Sequence, residues 1–316
     1  MPIVHHPFYR ATVPPGHRFP MNKFERLAQV LVEDGIAPEG GFHEPEIADL
    51  ALLTGAHDPA YVQAVLDLNL SKEAQRRIGL PLTEEVVRRS RAAVGGTLLA
   101  ARLALAHGLA CNNAGGSHHA AAGYGAGFCI FNDVAVAARR LLDEGAVERI
   151  LVVDVDVHQG DGTAFIFEHE SRVFTFSLHA AKNFPVRKAV SDLDVEAPDG
   201  LGDDGYMDLL TGVLPGLLQR VRPQLVFYIA GVDPHRDDKL GRLALSDAGL
   251  ARRDAYVLAT CLDAGVAVAG VLGGGYGPDT DTLARRHATL HRAASKAWTA
   301  CDTWTARPAS VAVVSG

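Results

Sequence analysis

Apolar positions along the chain follow two periods, and from about residue 149 onward they alternate in a regular way. Short apolar runs at 149–157, 172–178, 224–230 and 266–272 predict strands. Between them, apolar residues recur every three or four positions at 204–221, 247–264 and 279–299, which predicts helices, with Ser246 and Asp279 placed to cap the last two. The run Ile150-Leu151-Val152-Val153 has no polar face, the pattern of a strand buried on both sides of a parallel sheet. The first half is more helical. Asn22 is placed to cap a helix over Lys23–Asp34 closed by Gly35, and another follows Pro59 from Tyr61 to Leu68. A long helix starts at Thr83, with Glu84 and Glu85 in its first turn, and stops before Gly108. A Gly-, Asn-, His- and Ala-rich loop spans 112–127, and Phe131–Glu144 reads as helix again. Strands alternating with helices imply an α/β fold whose mostly parallel sheet is covered on both faces. With no linker, composition break or short-period repeat, one domain over residues 1–316 is expected.

Composition narrows the function classes. A net charge of −7 gives no support for nucleic-acid binding, which normally shows as a basic face. Cys111, Cys129, Cys261 and Cys301 show no CxxC or CxxxC spacing, so reduced thiols are expected rather than a disulfide frame or a zinc-thiolate site. The first residues lack a positive segment followed by an apolar one, and no apolar run reaches membrane-spanning length. A cytoplasmic protein is expected.

The polar residues worth attention follow the predicted strands, where open parallel sheets form ligand crevices. Asp154, Asp156 and His158 occupy every second position, which on a strand places them on one face. Side-by-side carboxylates at the end of an apolar strand need a compensating cation, and no Lys or Arg lies between Arg149 and Arg172, so a metal is the better expectation. Asp161 stands either as a helix cap or as part of this group. Asp233, before a proline, is a turn residue or a third ligand. The pair His118-His119 lies in a Gly/Ala-rich loop, and Gly273-Gly274-Gly275-Tyr276 brings backbone and a phenol close together. Jointly they describe metal-assisted amide hydrolysis: N and O ligands with open positions, a histidine base and acid, orienting aspartates, and a tyrosine donor for the oxyanion.

His118-His119, Gly127-Phe128-Cys129, DVDVHQGDG, AGVDP with Asp237-Asp238-Lys239-Leu240-Gly241, and GGGY, taken together, resemble the histone deacetylase family over roughly residues 5–300. The HRFPM-x-KF segment looks most like the bacterial deacetylases grouped with class IV. The resemblance implies the three-layer arginase/deacetylase fold, an eight-stranded, mostly parallel sheet flanked by helices, with a narrow tunnel leading to one zinc. It places zinc on Asp156, His158 and Asp233. It gives His119, oriented by Asp161, the main acid–base role, and has His118 assist with Asp154. Tyr276 would polarise the carbonyl; Phe128 and Phe184 would line the tunnel, beside Gly127 and Gly274. A potassium ion would sit on Asp154, Asp156, His158, Ser177 and Leu178, and Arg18 would stand at the tunnel's inner end.

The expected reaction is zinc-dependent hydrolysis of N-acyl-lysine, acetyl or longer fatty acyl. Acetylated polyamines are the alternative substrates, and the oligomeric state stays open. A non-catalytic acyl-lysine reader would lack a ligand or the tyrosine, and all are present. A binuclear manganese enzyme of the arginase type would need further Asp and His ligands. Gln159 is not a ligand position and little effect is expected of it.

Overall fold

The computed structural model describes residues 1–300 except Glu39, so the expected domain's last residues, Cys301 among them, lie outside the described part. A two-residue strand β1 (Ile3–Val4) leads into α1 (Lys23–Glu33), then α2 (Leu50–Leu53), α3 (Pro59–Leu66), α4 (Lys72–Ile78) and the long α5 (Glu84–His107). Next come β2 (Leu109–Asn112), α6 (Asp133–Asp143), β3 (Ile150–Asp154), α7 (Asp161–Phe167), β4 (Val173–Ala180) and β5 (Leu193–Ala197). The chain continues through α8 (Asp203–Val221), β6 (Leu225–Ile229), α9 (Asp247–Asp263), β7 (Ala267–Val271) and α10 (Thr280–Ala300).

Seven strands, not eight, form the sheet of the described residues, in the order β1-β2-β7-β6-β3-β4-β5, and every pairing is parallel. The strands absent from the sequence reading have physical reasons for it. β1 and β2 are too short to show a period, and β5 (LDVEA) is a half-exposed edge strand that reads as polar. Period two is plain in the centre. Leu151, Val153, Val226, Tyr228 and Val268 pack toward Leu214 of α8, Val257 of α9 and Leu290 of α10. Their neighbours Ile150, Val152, Leu225, Phe227 and Ala269 pack on the other face against Leu98 and Ala101 of α5 and Leu141 of α6. Each such buried Val, Leu, Ile or Phe side chain contributes about 1.5–3 kcal/mol, so the sheet centre carries much of the core's stability.

Capping follows the sequence with one exception. Ser246 Oγ accepts the Gly249 N–H at 3.0 Å, Asp279 accepts from Asp281 and Thr282, and Thr83 caps α5. Asn22 precedes α1 but its side chain makes no capping bond. The strand expected over 149–157 stops at Asp154. Asp154 Oδ1 accepts the Asp156 N–H at 3.1 Å and Asp156 Oδ1 accepts the His158 N–H at 3.0 Å, so successive side chains coil the backbone out of the ladder.

Candidate metal centre and active site

The loops after the C-terminal ends of β2, β3, β4, β6 and β7 converge at one end of the sheet and carry the candidate residues. Because the DVDVH run is coiled, its polar groups do not share one strand face. Asp154 turns to His118, whereas Asp156 and His158 turn to Asp233. Asp156, His158 and Asp233 are buried, with one donor atom from each within 4.8 Å of the others. His158 Nδ1 lies 3.1 Å from Asp156 Oδ1 and 3.1 Å from Asp233 Oδ2.

This donor set suits a divalent cation: two carboxylates and an imidazole, hard oxygen and nitrogen, all buried. Burial drives Asp233 up to about 7 and the neighbouring Asp156 charge adds to that, while at Asp156 burial is outweighed by His118 and His158, which hold it well below the usual carboxylate range. Burial opposes charge on His158, but Asp156 and Asp233 outweigh it and lift it to about 10. The pull that collects protons here is the pull that would hold a metal. The walls are tight. A Cβ on Gly274 would fall 1.9 Å from Asp233 Oδ2, and the Gly274 N–H donates to Asp156 Oδ2 at 2.5 Å. Beneath, the buried Arg253 donates to the Gly231 carbonyl at 2.7 Å and reaches the Val155 carbonyl, tying the loops that carry Asp156 and Asp233 to one cation. Asn183 joins Leu240 O at 2.6 Å and approaches His158 Nε2 at 3.4 Å.

His118 and His119 lie with ring centroids 4.2 Å apart, and each has its own aspartate. His118 Nδ1 donates to Asp154 Oδ2 at 2.7 Å and His119 Nδ1 to Asp161 Oδ1 at 2.6 Å. Asp161 begins α7 and spends its carboxylate on His119 rather than on a cap. The two rings are driven apart in charge. Burial opposes protonation of His118, but Asp154 and Asp156 outweigh it and raise it to about 9. His119 is pushed down to about 4 by burial and then by His118. Asp133 holds the loop before them, accepting from Gly116 N at 3.0 Å and Ser117 N at 2.7 Å.

Tyr276 is fixed through its backbone, whose N–H donates to Asp238 Oδ2 at 2.6 Å; burial, then Asp233 and Asp156, keep its phenol protonated. Phe128 stands 5.8 Å from the Tyr276 ring, and Phe184 meets His119 edge-on at 4.9 Å. Phe128 has φ +66°, an uncommon left-handed conformation for a bulky residue, held by its N–H donating to Ile78 O at 2.7 Å. Gly127, at φ +53°, leaves no room for a Cβ beside His119. Ser177 pairs in register with Asp154, with Leu178 next to it in β4.

Arg18 is a correction. It is exposed and lines the mouth of the cavity, because the neighbouring Phe19 takes the inward direction, 5.5 Å from Phe128. Two cations lie deeper, Arg89 on the wall of the inner cavity and Lys23 behind Tyr276. Lys23 is buried over the rings of Phe24 and Tyr276 with Nζ 3.3 Å from Gly275 O, and burial lowers it to about 8. Arg89 is buried and lines a small inner cavity with His118, His119 and Tyr276. The sequence motifs single out neither of them. The signal for Arg89 was its place on the apolar stripe Val86, Arg89, Ala93 of α5. Gln159, expected to matter little, bridges Ala189 and Asp194 and so anchors the loop bearing Phe184.

A histone deacetylase domain model matches residues 17–292. An uncharacterised protein of Picosynechococcus is 54% identical over 93% of this chain and 98% of its own length. A probable deacetylase of Archaeoglobus fulgidus is 32% identical over 80% of this chain and 75% of its own, and histone deacetylase 2 of Arabidopsis thaliana 29% identical over 82% and 70%. The crystal structure of the HDA15 HD domain superposes with a TM-score of 0.76 at 22% identity, covering 96% of this chain and 88% of that one, which is a likeness of fold. The parallel sheet, the loops gathered at its strand ends and the matched span lead to one assignment: the chain belongs to the histone deacetylase family and carries a hydrolase of the deacetylase type.

Proposed function

We propose that the protein hydrolyses N-acyl-lysine amides with one zinc ion held by Asp156, His158 and Asp233. The observation that carries this reading is the juxtaposition of that buried donor set with two differently charged histidines and Tyr276. Zinc bound there would supply Lewis-acid polarisation of the acyl carbonyl and acidify a water. Among the described residues only one such donor group forms, which favours a single metal over an arginase-type pair.

The chain's own groups then divide the work. His119, neutral at physiological pH and with Nδ1 committed to Asp161, leaves Nε2 to accept the proton of the attacking water and return it to the leaving amine. His118, charged against Asp154, stabilises negative charge built up beside it. The Tyr276 hydroxyl donates to the developing oxyanion. Phe128, Phe184 and Gly127 grip the aliphatic stem. The inner cavity of about 30 Å³, closed by Phe19, Phe24 and Arg89, has room for one or two waters' worth of atoms and supports acetyl over a long fatty chain. We further assign a structural potassium to Asp154, Asp156, His158, Ser177 and Leu178, where it would offset surplus carboxylate charge. One catalytic domain and a reducing, cytoplasmic setting complete the reading; the buried thiols of Cys111, Cys129 and Cys261 support the latter.

The test is turnover of one lysine peptide carrying acetyl, octanoyl or myristoyl. The account expects acetyl to be removed and octanoyl and myristoyl to react far more slowly. Faster removal of myristoyl would overturn the acyl assignment, and inertness of all three in zinc-loaded protein would overturn the deacylase reading.

A further inference from the structure

The surroundings of the acylated amine are read by the mouth of the cavity, and its charge opposes that of the molecule. Asp and Glu total 37 against 30 Lys and Arg. Yet the cavity of about 660 Å³ leading to His119, His158 and Tyr276 is lined by Arg18, Arg76 and Arg77 and by no carboxylate. All three are exposed, and among the described residues none is in an ion pair, although Arg10, Arg26, Arg102, Arg242 and Arg252 elsewhere on the surface each have one.

These cations are fixed to the tunnel wall. Helix α4 ends at Ile78, capped by Gly79, and its last carbonyls hold the next wall segment: Arg77 O accepts the Gly127 N–H at 3.2 Å and Ile78 O the Phe128 N–H at 2.7 Å. His17 Nε2 meets Gly79 O at 2.9 Å, which brings Arg18 to the same corner. The Arg77 guanidinium lies 4.9 Å over the Tyr124 ring. The loop that carries Phe184 adds exposed Lys182 and Arg187 on either side of that residue. Lys188 is used internally, its Nζ donating to Asn183 O at 2.5 Å and Pro185 O at 2.7 Å.

Resting on the deacylase reading, we propose that the substrate is anionic beside its acylated amine: an acyl-lysine flanked by carboxylates, as in an acidic peptide segment. Guanidinium groups take carboxylates in a two-pronged fork, and a cluster of them at the entrance steers anions inward. The same cluster repels the ammonium groups of an acetylated polyamine or a Lys/Arg-rich tail.

The experiment compares kcat/KM of the zinc-loaded protein on acetyl-lysine peptides with Asp/Glu, Gln/Ser or Lys/Arg flanks. N-acetylputrescine and Nα,Nε-diacetyl-lysine with a free carboxylate complete the series. The acidic peptide should exceed the basic one roughly tenfold at low ionic strength, chiefly through KM, as expected of a few exposed charge pairs, and the ratio should shrink at high salt. N-acetylputrescine should be the poorest substrate. Arg18→Glu with Arg76→Glu should invert the acidic-to-basic ratio, and Arg18→Gln with Arg76→Gln should flatten it. If diacetyl-lysine matches the acidic peptide, the carboxylate comes from a small molecule; if it lags, from a peptide flank. Both results support the anionic class. Equal rates on acidic and basic peptides, a preference for the polyamine, or a ratio unmoved by charge reversal would overturn the inference while leaving the deacylase reading intact. No turnover of any member would overturn both.

Discussion

At the inner end of the cavity Asp154, Asp156, Asp161 and Asp233 are buried, and each is met by an imidazole or a backbone N–H. At the mouth, Arg18, Arg76 and Arg77 stand exposed, and among the described residues none of them is in an ion pair. The same elementary charge does different work in the two places. Buried, it is held in one geometry and acts at nearly full strength, so removing one partner strands another. In water it is screened and mobile, worth a fraction of a kcal/mol per pair, and it can bias which substrate arrives without affecting the bond-breaking step. Substitutions should therefore separate: inner ones in metal content and kcat, outer ones in KM and salt dependence.

The largest effects should come from the donor set. Asp156→Ala or Asp233→Ala is expected to remove metal and activity together, checked by metal analysis of folded protein alongside turnover. His119→Ala should keep the metal and lower kcat by about 10²–10⁴-fold, the usual worth of a positioned acid–base group. A loss confined to KM would contradict its role. Tyr276→Phe should cost about 10²–10³ in kcat with metal and fold intact, as for one oxyanion donor. Gly274→Ala drives a methyl against Asp233, and about 10–100-fold weaker metal affinity is expected in a competition with a chelator. The mouth substitutions stand last, at roughly tenfold and only at low salt.

Legibility in the sequence follows the same division. The central strands β3, β6 and β7 and the long α5 were readable because burial on both faces or a sustained helical period writes itself into consecutive residues. The inner groups were readable because polar residues directly after apolar strands have few structural uses; Asp156, His158 and Asp233 are brought together as a candidate ligand set. What stayed illegible depends on side-chain direction. Local period could not show that Asp154 and Asp156 would capture the amides two residues on and end the strand. Nor could it show that Phe19 would turn inward and Arg18 outward, leaving Arg89 to line the inner cavity and Lys23 to lie buried against Tyr276. The support given by Asp133, Asn183, Asp238 and Arg253 comes from residues far along the chain from the groups they position, and only the folded sheet end reveals it.

The most direct test of the central claim is a zinc titration of metal-stripped protein, following turnover of an acetyl-lysine peptide. The account predicts activity rising linearly to one zinc per chain and then levelling, with Asp156→Ala flat throughout. Full activity in the stripped protein, or a rise that continues to two metals per chain, would contradict it.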